Sequence, residues 1–199
     1  MTWEPDYVTL QQMRDQLKIT AGYTDDDALL TTMIGAASRA IDREAGRQFG
    51  KVAAAEERIY PARSSGGRWV VDVDDVQDVT GLTVENGDGD PITGYRLWPR
   101  NAAARGRPYE RLILDIDSAV IPVWPDHELT VTAVWGWTAV PDGIEAAARL
   151  QTSRFFARRE SPYGVAGSPD LGSELRLLAK VDADVAVMVR TFERARRVR

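Results

Sequence analysis

The hydrophobic period of this chain changes twice, and those changes limit the folds open to it. Up to about residue 50 apolar residues recur at helical spacing, from about 56 they alternate, and from 141 helical spacing returns. The middle stretch reads "ERIYP", "RWVVDV", "VTGLTV", "GYRLW", "RLILDI" and "ELTVTAVW", short β-branched runs parted by Gly, Pro, Asn and Asp. Consecutive strands with no helix between them give an antiparallel sheet, not a βαβ wind.

The flanks carry helix signals. "TLQQMRDQLK" (9–18) predicts a short helix with Thr9 as cap and Gln12 closing a capping box. Thr24 is expected to cap a second helix, with Asp25, Asp26 and Asp27 in its first turn and Gly46 as its stop. Leu29, Leu30, Met33, Ile34, Ala37 and Ile41 form its apolar face. Pro141 and Asp142 open a third helix with Ile144, Ala148, Gln151, Phe155 and Phe156 on one side. A last helix is expected from about Asp182, with Val185, Met188, Val189 and Phe192 inward. Asn-Gly and Asp-Gly in "ENGDGDPI" (85–92) mark a hairpin turn. "PRNAAARGRPYE" (99–110) reads as an exposed, mobile loop, and "SPYGVAGSPDLG" (161–172) as a loop. The expected fold is α+β: a helical bundle of about four helices with an antiparallel β region inserted between the second and third main helices. It forms a single domain over 1–199, divided into N-terminal helices (1–50), a β-rich region (51–138), and C-terminal helices with a basic tail (139–199).

Composition narrows the chemistry. With no cysteine, the chain has no disulfide, thiolate nucleophile or Cys-ligated zinc. The N-terminus lacks a basic segment followed by an apolar one, so no signal peptide is expected, and no run is apolar enough to span a membrane. Residues 1–140 carry 14 basic and 22 acidic groups, whereas 141–199 carry 11 and 8. An acidic body opposes tight duplex binding, which rests on neutralising phosphates; only the arginine-rich tail "RTFERARRVR" is suited to it.

Motifs for catalysis are missing. His127 is the one histidine; Asp126 beside it points to the other face of a strand, and no G-x-S-x-G elbow supplies a serine. "DVDDVQD" (72–78) fails the calcium-loop spacing, with Gln77 at the sixth position and Thr83 at the twelfth. It reads better as a strand with Val71 and Val73 inward. No Gly-Lys-Ser/Thr cradle or dinucleotide glycine pattern occurs. The chain is therefore expected to be no enzyme, with no catalytic, cofactor or metal residues.

Side chains suited to protein contact are present. Trp135 and Trp137 are two apart on one strand, fit either to pack a sheet face or to anchor a subunit interface. Arg154, Arg158 and Arg159 lie on neighbouring turns of the third helix. Arg190, Arg194, Arg196 and Arg197 stud the tail. Either set is solvated, or docked on an acidic partner.

Taken together, "YVTLQQMRDQL", "TDDDALLTTMIGAASRAIDREAGRQF", "LTVTAVWGWTAVPDGIEAAARLQTSRFFARRESPYGV" and "DADVAVMVRTFERAR" resemble the head–tail connector proteins, or head-to-tail adaptors, of tailed phages. The spacing from Gly136 through Val140-Pro141 to Ile144 and Ala147 carries most of that resemblance. The resemblance implies a non-enzymatic virion subunit, assembled in the host cytoplasm as a ring, usually of twelve copies, below the portal protein. DNA would pass through its lumen without sequence-specific binding, and stopper or tail-completion proteins would attach opposite. The alternative is a nucleic-acid-binding protein that uses the C-terminal arginines as an arm.

Overall fold

The computed structural model describes residues 3–115, 120–122, 127–160, 165–166, 175–176 and 182–194. Two compact units emerge: a β unit of residues 1–4 and 49–139, and a helical unit of residues 5–48 and 140–199.

Six antiparallel strands build the β unit: β1 (Glu56–Ser65), β2 (Arg68–Val76), β3 (Asp78–Asn86), β4 (Tyr95–Trp98), β5 (Tyr109–Leu114) and β6 (Glu128–Val134), in the order β3-β6-β1-β2-β5-β4. Laid flat, five spacings of about 4.8 Å would hold the two edges roughly 24 Å apart. Ile92, however, donates its N–H to Val84 of β3 at 2.8 Å, and only three residues later Tyr95 pairs with Leu114 of β5. Three residues reach about 11 Å at most, so the sheet must curl as a half-barrel. Its concave side collects the period-2 apolar positions: Val71 and Val73 from β2, Val84 from β3, Leu112 and Leu114 from β5, and Leu129, Val131 and Ala133 from β6.

The turn after β3 explains how the chain crosses that gap. Asn86 accepts the N–H groups of Asp88 and Asp90 on its Oδ1, at 3.0 and 2.8 Å, and Gly89 takes φ +84°. An asparagine that folds its side chain over the following backbone makes such reversals inexpensive. The segment at 99–110 is largely exposed, as expected, and carries local structure. Ala103–Arg105 forms a 3₁₀ turn, Ala102 is buried, and Tyr109 already belongs to β5.

In the helical unit, α1 (Leu10–Gln16) has the full capping box: Thr9 Oγ1 accepts from Gln12 N at 3.2 Å, and Thr9 N donates to Gln12 Oε1 at 2.7 Å. Helix α2 (Asp27–Ala45) buries Leu30, Ile34, Ala37 and Ile41 on the face expected from spacing. Its cap is Asp26, not Thr24, and no side chain caps it; Gly46 ends it at φ +64°. Helix α3 (Asp142–Ala157) follows Pro141 and buries Ile144, Ala147, Ala148, Gln151 and Thr152. Helix α4 (Ala183–Arg190) is capped by Asp182 and buries Val185 and Val189, while Met188 is exposed. Helices α2, α3 and α4 pack on one another. Two short strands pair antiparallel: β7 (Val165–Ala166), inside the stretch 161–172 that the sequence marked as loop, and β8 (Leu175–Arg176), just beyond it; the rest of 161–172 lies outside the described residues. None of the described helices is long and apolar enough to cross a membrane.

The α+β class holds, but a helical bundle carrying an inserted β region does not. The strands are no appendage: they close a six-stranded sheet around a core of their own and form the larger share of the regular structure of one of the two units. Among the helices, α1 has seven residues and α4 eight, too short to run the length of α2 as bundle partners. Thr9→Ala should lower stability by about 1 kcal/mol through the lost cap, read as a reduced denaturant midpoint with unchanged slope; an unmoved midpoint would show the capping box to be idle.

Candidate functional site

The candidate residues divide between a junction in the β unit and an arginine series in the helical unit. The junction is Trp135–Gly136–Trp137. Strand β6 ends at Val134, and Gly136 turns the chain at φ +107°, a region closed to most side chains. Gly136 N–H donates to Asp75 O at 2.6 Å, its carbonyl accepts from Gln77 N, and Trp137 N–H donates to Gly50 O at 2.8 Å. Trp135 O accepts from Val52 N at 3.0 Å. Three segments, 50–52, 75–77 and 135–137, therefore meet backbone to backbone. A Cβ on Gly136 would overlap the Gly50 carbonyl, with Gly50 C and Lys51 Cα at 2.9 Å.

Both tryptophans are enclosed in their own β unit, at 0% and 1% exposure. Trp135 Nε1 donates to Glu56 O at 2.7 Å, and its ring lies 5.5 Å from Tyr60. Trp137 Nε1 donates to the buried Asp75 carboxylate at 2.9 Å, with Phe49 5.2 Å away. Each indole is buried with its one donor satisfied. The Arg58 guanidinium lies between the Trp3 ring at 4.3 Å and the Trp135 ring at 5.0 Å. It bonds Asp74 at 2.8 Å, and Tyr60 Oη donates to the same carboxylate oxygen at 2.9 Å. Burial works against the Arg58 charge, but the bonds to Asp74 and Glu56 outweigh it and hold its pKa up. Burial, and then the Asp74 charge, push the Tyr60 pKa well above its ordinary 10.

The acidic run at 72–78 is committed to structure. Asp72 bridges Arg63 and Arg111, Asp74 serves Arg58 and Tyr60, Asp75 receives Trp137, and Asp78 meets Lys51 at 3.2 Å. The Asp78 pKa is lowered, first by the Thr80 N–H and then by Lys51. Among the described residues no three His, Cys, Asp or Glu side chains gather to hold a metal ion. His127 is half-buried at the entry to β6, its ring 4.8 Å from that of Trp69.

In the helical unit, Arg154 forms an ion pair with Asp182. Arg159 pairs with Asp26 at 2.8 Å, its guanidinium 3.9 Å from the centre of the Phe156 ring. Arg158 is half-buried and begins the 3₁₀ turn Arg158–Glu160. Arg190 is exposed in the last turn of α4, and Arg194 N–H donates to Ala45 O at 3.1 Å. Arg196 and Arg197 lie outside the described residues. Sequence spacing did not single out Asp75, Gln77 or Arg58, because Asp75 meets Trp137 62 positions away, Gln77 meets Thr138 61 away and Arg58 meets Asp74 16 away; the glycine between two tryptophans was the available signal for the junction.

A curled antiparallel sheet and a helical unit in one chain define an α+β class with solved counterparts. A chain in the neck of an empty GTA particle, computed with C6 symmetry, has this fold with a TM-score of 0.59 at 21% identity, covering 100% of this chain and 95% of that one. A chain in the neck of the native GTA particle, computed with C12 symmetry, gives 0.56 at 19% identity over the same shares. The fold is thus one found in the neck of a phage-like particle, in keeping with the connector resemblance. No protein-family model and no curated protein matches the chain.

Gly136→Ala should abolish soluble folded protein or lower its unfolding temperature steeply, because the clash is with backbone; a near-normal melt would remove the junction from its central place. Tyr60 binds its proton more tightly folded than unfolded, so stability is full below about pH 10 and falls as pH rises above it. Tyr60→Phe should flatten that alkaline loss in a tryptophan-fluorescence titration while costing about 1 kcal/mol at neutral pH.

Proposed function

We propose that this chain is a structural, non-enzymatic subunit of a head–tail neck ring in a phage-like particle. The single observation that carries the reading is the fold's end-to-end likeness to neck chains. Within that reading the subunit docks below a portal protein as a homo-oligomeric ring, of twelve copies by the connector resemblance. DNA transits the lumen, and a stopper or tail-completion protein is received on the far side. The commitment of Asp72, Asp74, Asp75 and Asp78 to internal partners supports a scaffold over a catalyst. A net charge of -5 suits a wall past which DNA slides.

Negative-stain microscopy of the concentrated protein, alone and with the portal protein of the same particle, tests this. Rings with a central hole are expected; isolated small particles in both samples would contradict it. Arg158→Glu with Arg159→Glu should remove the rings and preserve helical circular dichroism. Rings from that variant would take these two arginines out of the assembly contact.

A further inference from the structure

The β unit has charge that its fold does not use, and the unused charge sits at both ends of the half-barrel. Register defines the ends. At one, Val76 lies beside Tyr109 and Asp78 beside Val134; at the other, Asn86 lies beside Leu129 and Tyr95 beside Leu114. Nine residues of β3 set the two roughly 30 Å apart.

The first end bears the β4–β5 connection. Three of the nine Lys and Arg residues of this unit, Arg100, Arg105 and Arg107, fall in that connection (99–108), together with none of its fifteen Asp and Glu. Arg58, Arg63, Arg96 and Arg111 each hold a carboxylate. Arg100 and Arg105 do not: both are exposed, and neither forms an ion pair among the described residues. They stand on a fixed platform. Ala102 is buried beneath, Gly106 closes the 3₁₀ turn, and Gln77 Nε2 donates to Gly106 O at 3.0 Å while Gln77 Oε1 accepts from Thr138. Trp98, two residues before Arg100 in the chain, has 42% of its surface in solvent. Exposed Trp beside Arg is the composition of an interface anchor.

The other end is acidic. Asp88 and Glu128 are exposed without an ion-pair partner among the described residues, Asp90 bonds only Asn86, and Arg96 at this end is already paired with Asp115. Rings close through heterologous contacts, in which one surface of a subunit meets a different, complementary surface of the next. Complementary potentials are what select and orient such a contact.

We infer that the Arg100–Arg105 platform, with Trp98, docks on the acidic Asp88 end of a second copy of this chain. The inference rests on the ring proposed above. It names the two faces that meet.

The chain has no cysteine, so introduced ones report alone. Arg105→Cys and Asp88→Cys placed in one chain are too far apart to join each other, since a disulfide needs Cα atoms within about 7 Å. Mild oxidation of that double variant, with its fold checked by circular dichroism, should give a ladder of covalent multimers on a non-reducing gel. Either single variant should stop at dimers. Arg100→Glu with Arg105→Glu should weaken self-association about tenfold or more, and adding Asp88→Arg should recover part of it. Monomers only after oxidation, from protein that forms rings under the microscope, would overturn this contact and leave the ring intact. Neither ladder nor rings would overturn both. If the Arg100/Arg105 variant self-associates normally but loses salt-sensitive binding to a 20-base-pair duplex, the platform is a phosphate contact and the inference fails.

Discussion

Everything in the β unit depends on the close approach of Gly136 to Gly50. Without a Cβ, residue 136 lies against the Gly50 carbonyl and bonds Asp75 and Gln77 on its other side. That contact joins the segment leading into the sheet, the end of β2 and the exit of β6. The two tryptophans are consequences of it. Turning the chain at Gly136 sends one indole toward Tyr60 and the other toward Phe49, and each finds an acceptor for its single donor. A residue with φ below zero at 136 would keep the strand going and leave one indole without its place.

This bears on how much the sequence disclosed. Strand and helix locations were legible because alternation and helical spacing report burial directly: Val71 and Val73, Leu30 and Ile34 are buried as the periods required. Local chemistry was legible too, in the Thr9 capping box and the Gly46 stop. Curvature was not. The half-barrel follows from Ile92 bonding Val84 while Tyr95 pairs across to β5, a fact of register that periodicity does not encode. Hence the expectation of a bundle with a β insertion, where the sheet in fact has a core of its own. Charge misled in a related way. The run at 72–78 reads as a strand with Val71 and Val73 inward and Asp72 and Asp74 in solvent, yet Asp72 is clamped by two arginines from neighbouring strands and Asp74 is held by Arg58 and Tyr60, while Asp75 is buried against Trp137.

For the candidate interface residues, spacing identified side chains of the right kind and the fold decides their surroundings. Trp135 and Trp137 occupy the core of their own unit. Arg154 and Arg159 hold acids of their own chain, and Arg190 remains exposed. Arginine outnumbers lysine 22 to 3, and its planar fork suits such bidentate and stacked roles. Where so many arginines are internally matched, Arg100 and Arg105 stand out as charge left over for another molecule.

Native mass spectrometry of the purified protein, with and without the portal protein of its particle, tests the neck-ring account most directly. The account predicts one closed assembly at a fixed integer multiple of the 22.0 kDa chain, twelve copies being the expected number. Monomers at every concentration, with the portal protein present, would contradict it.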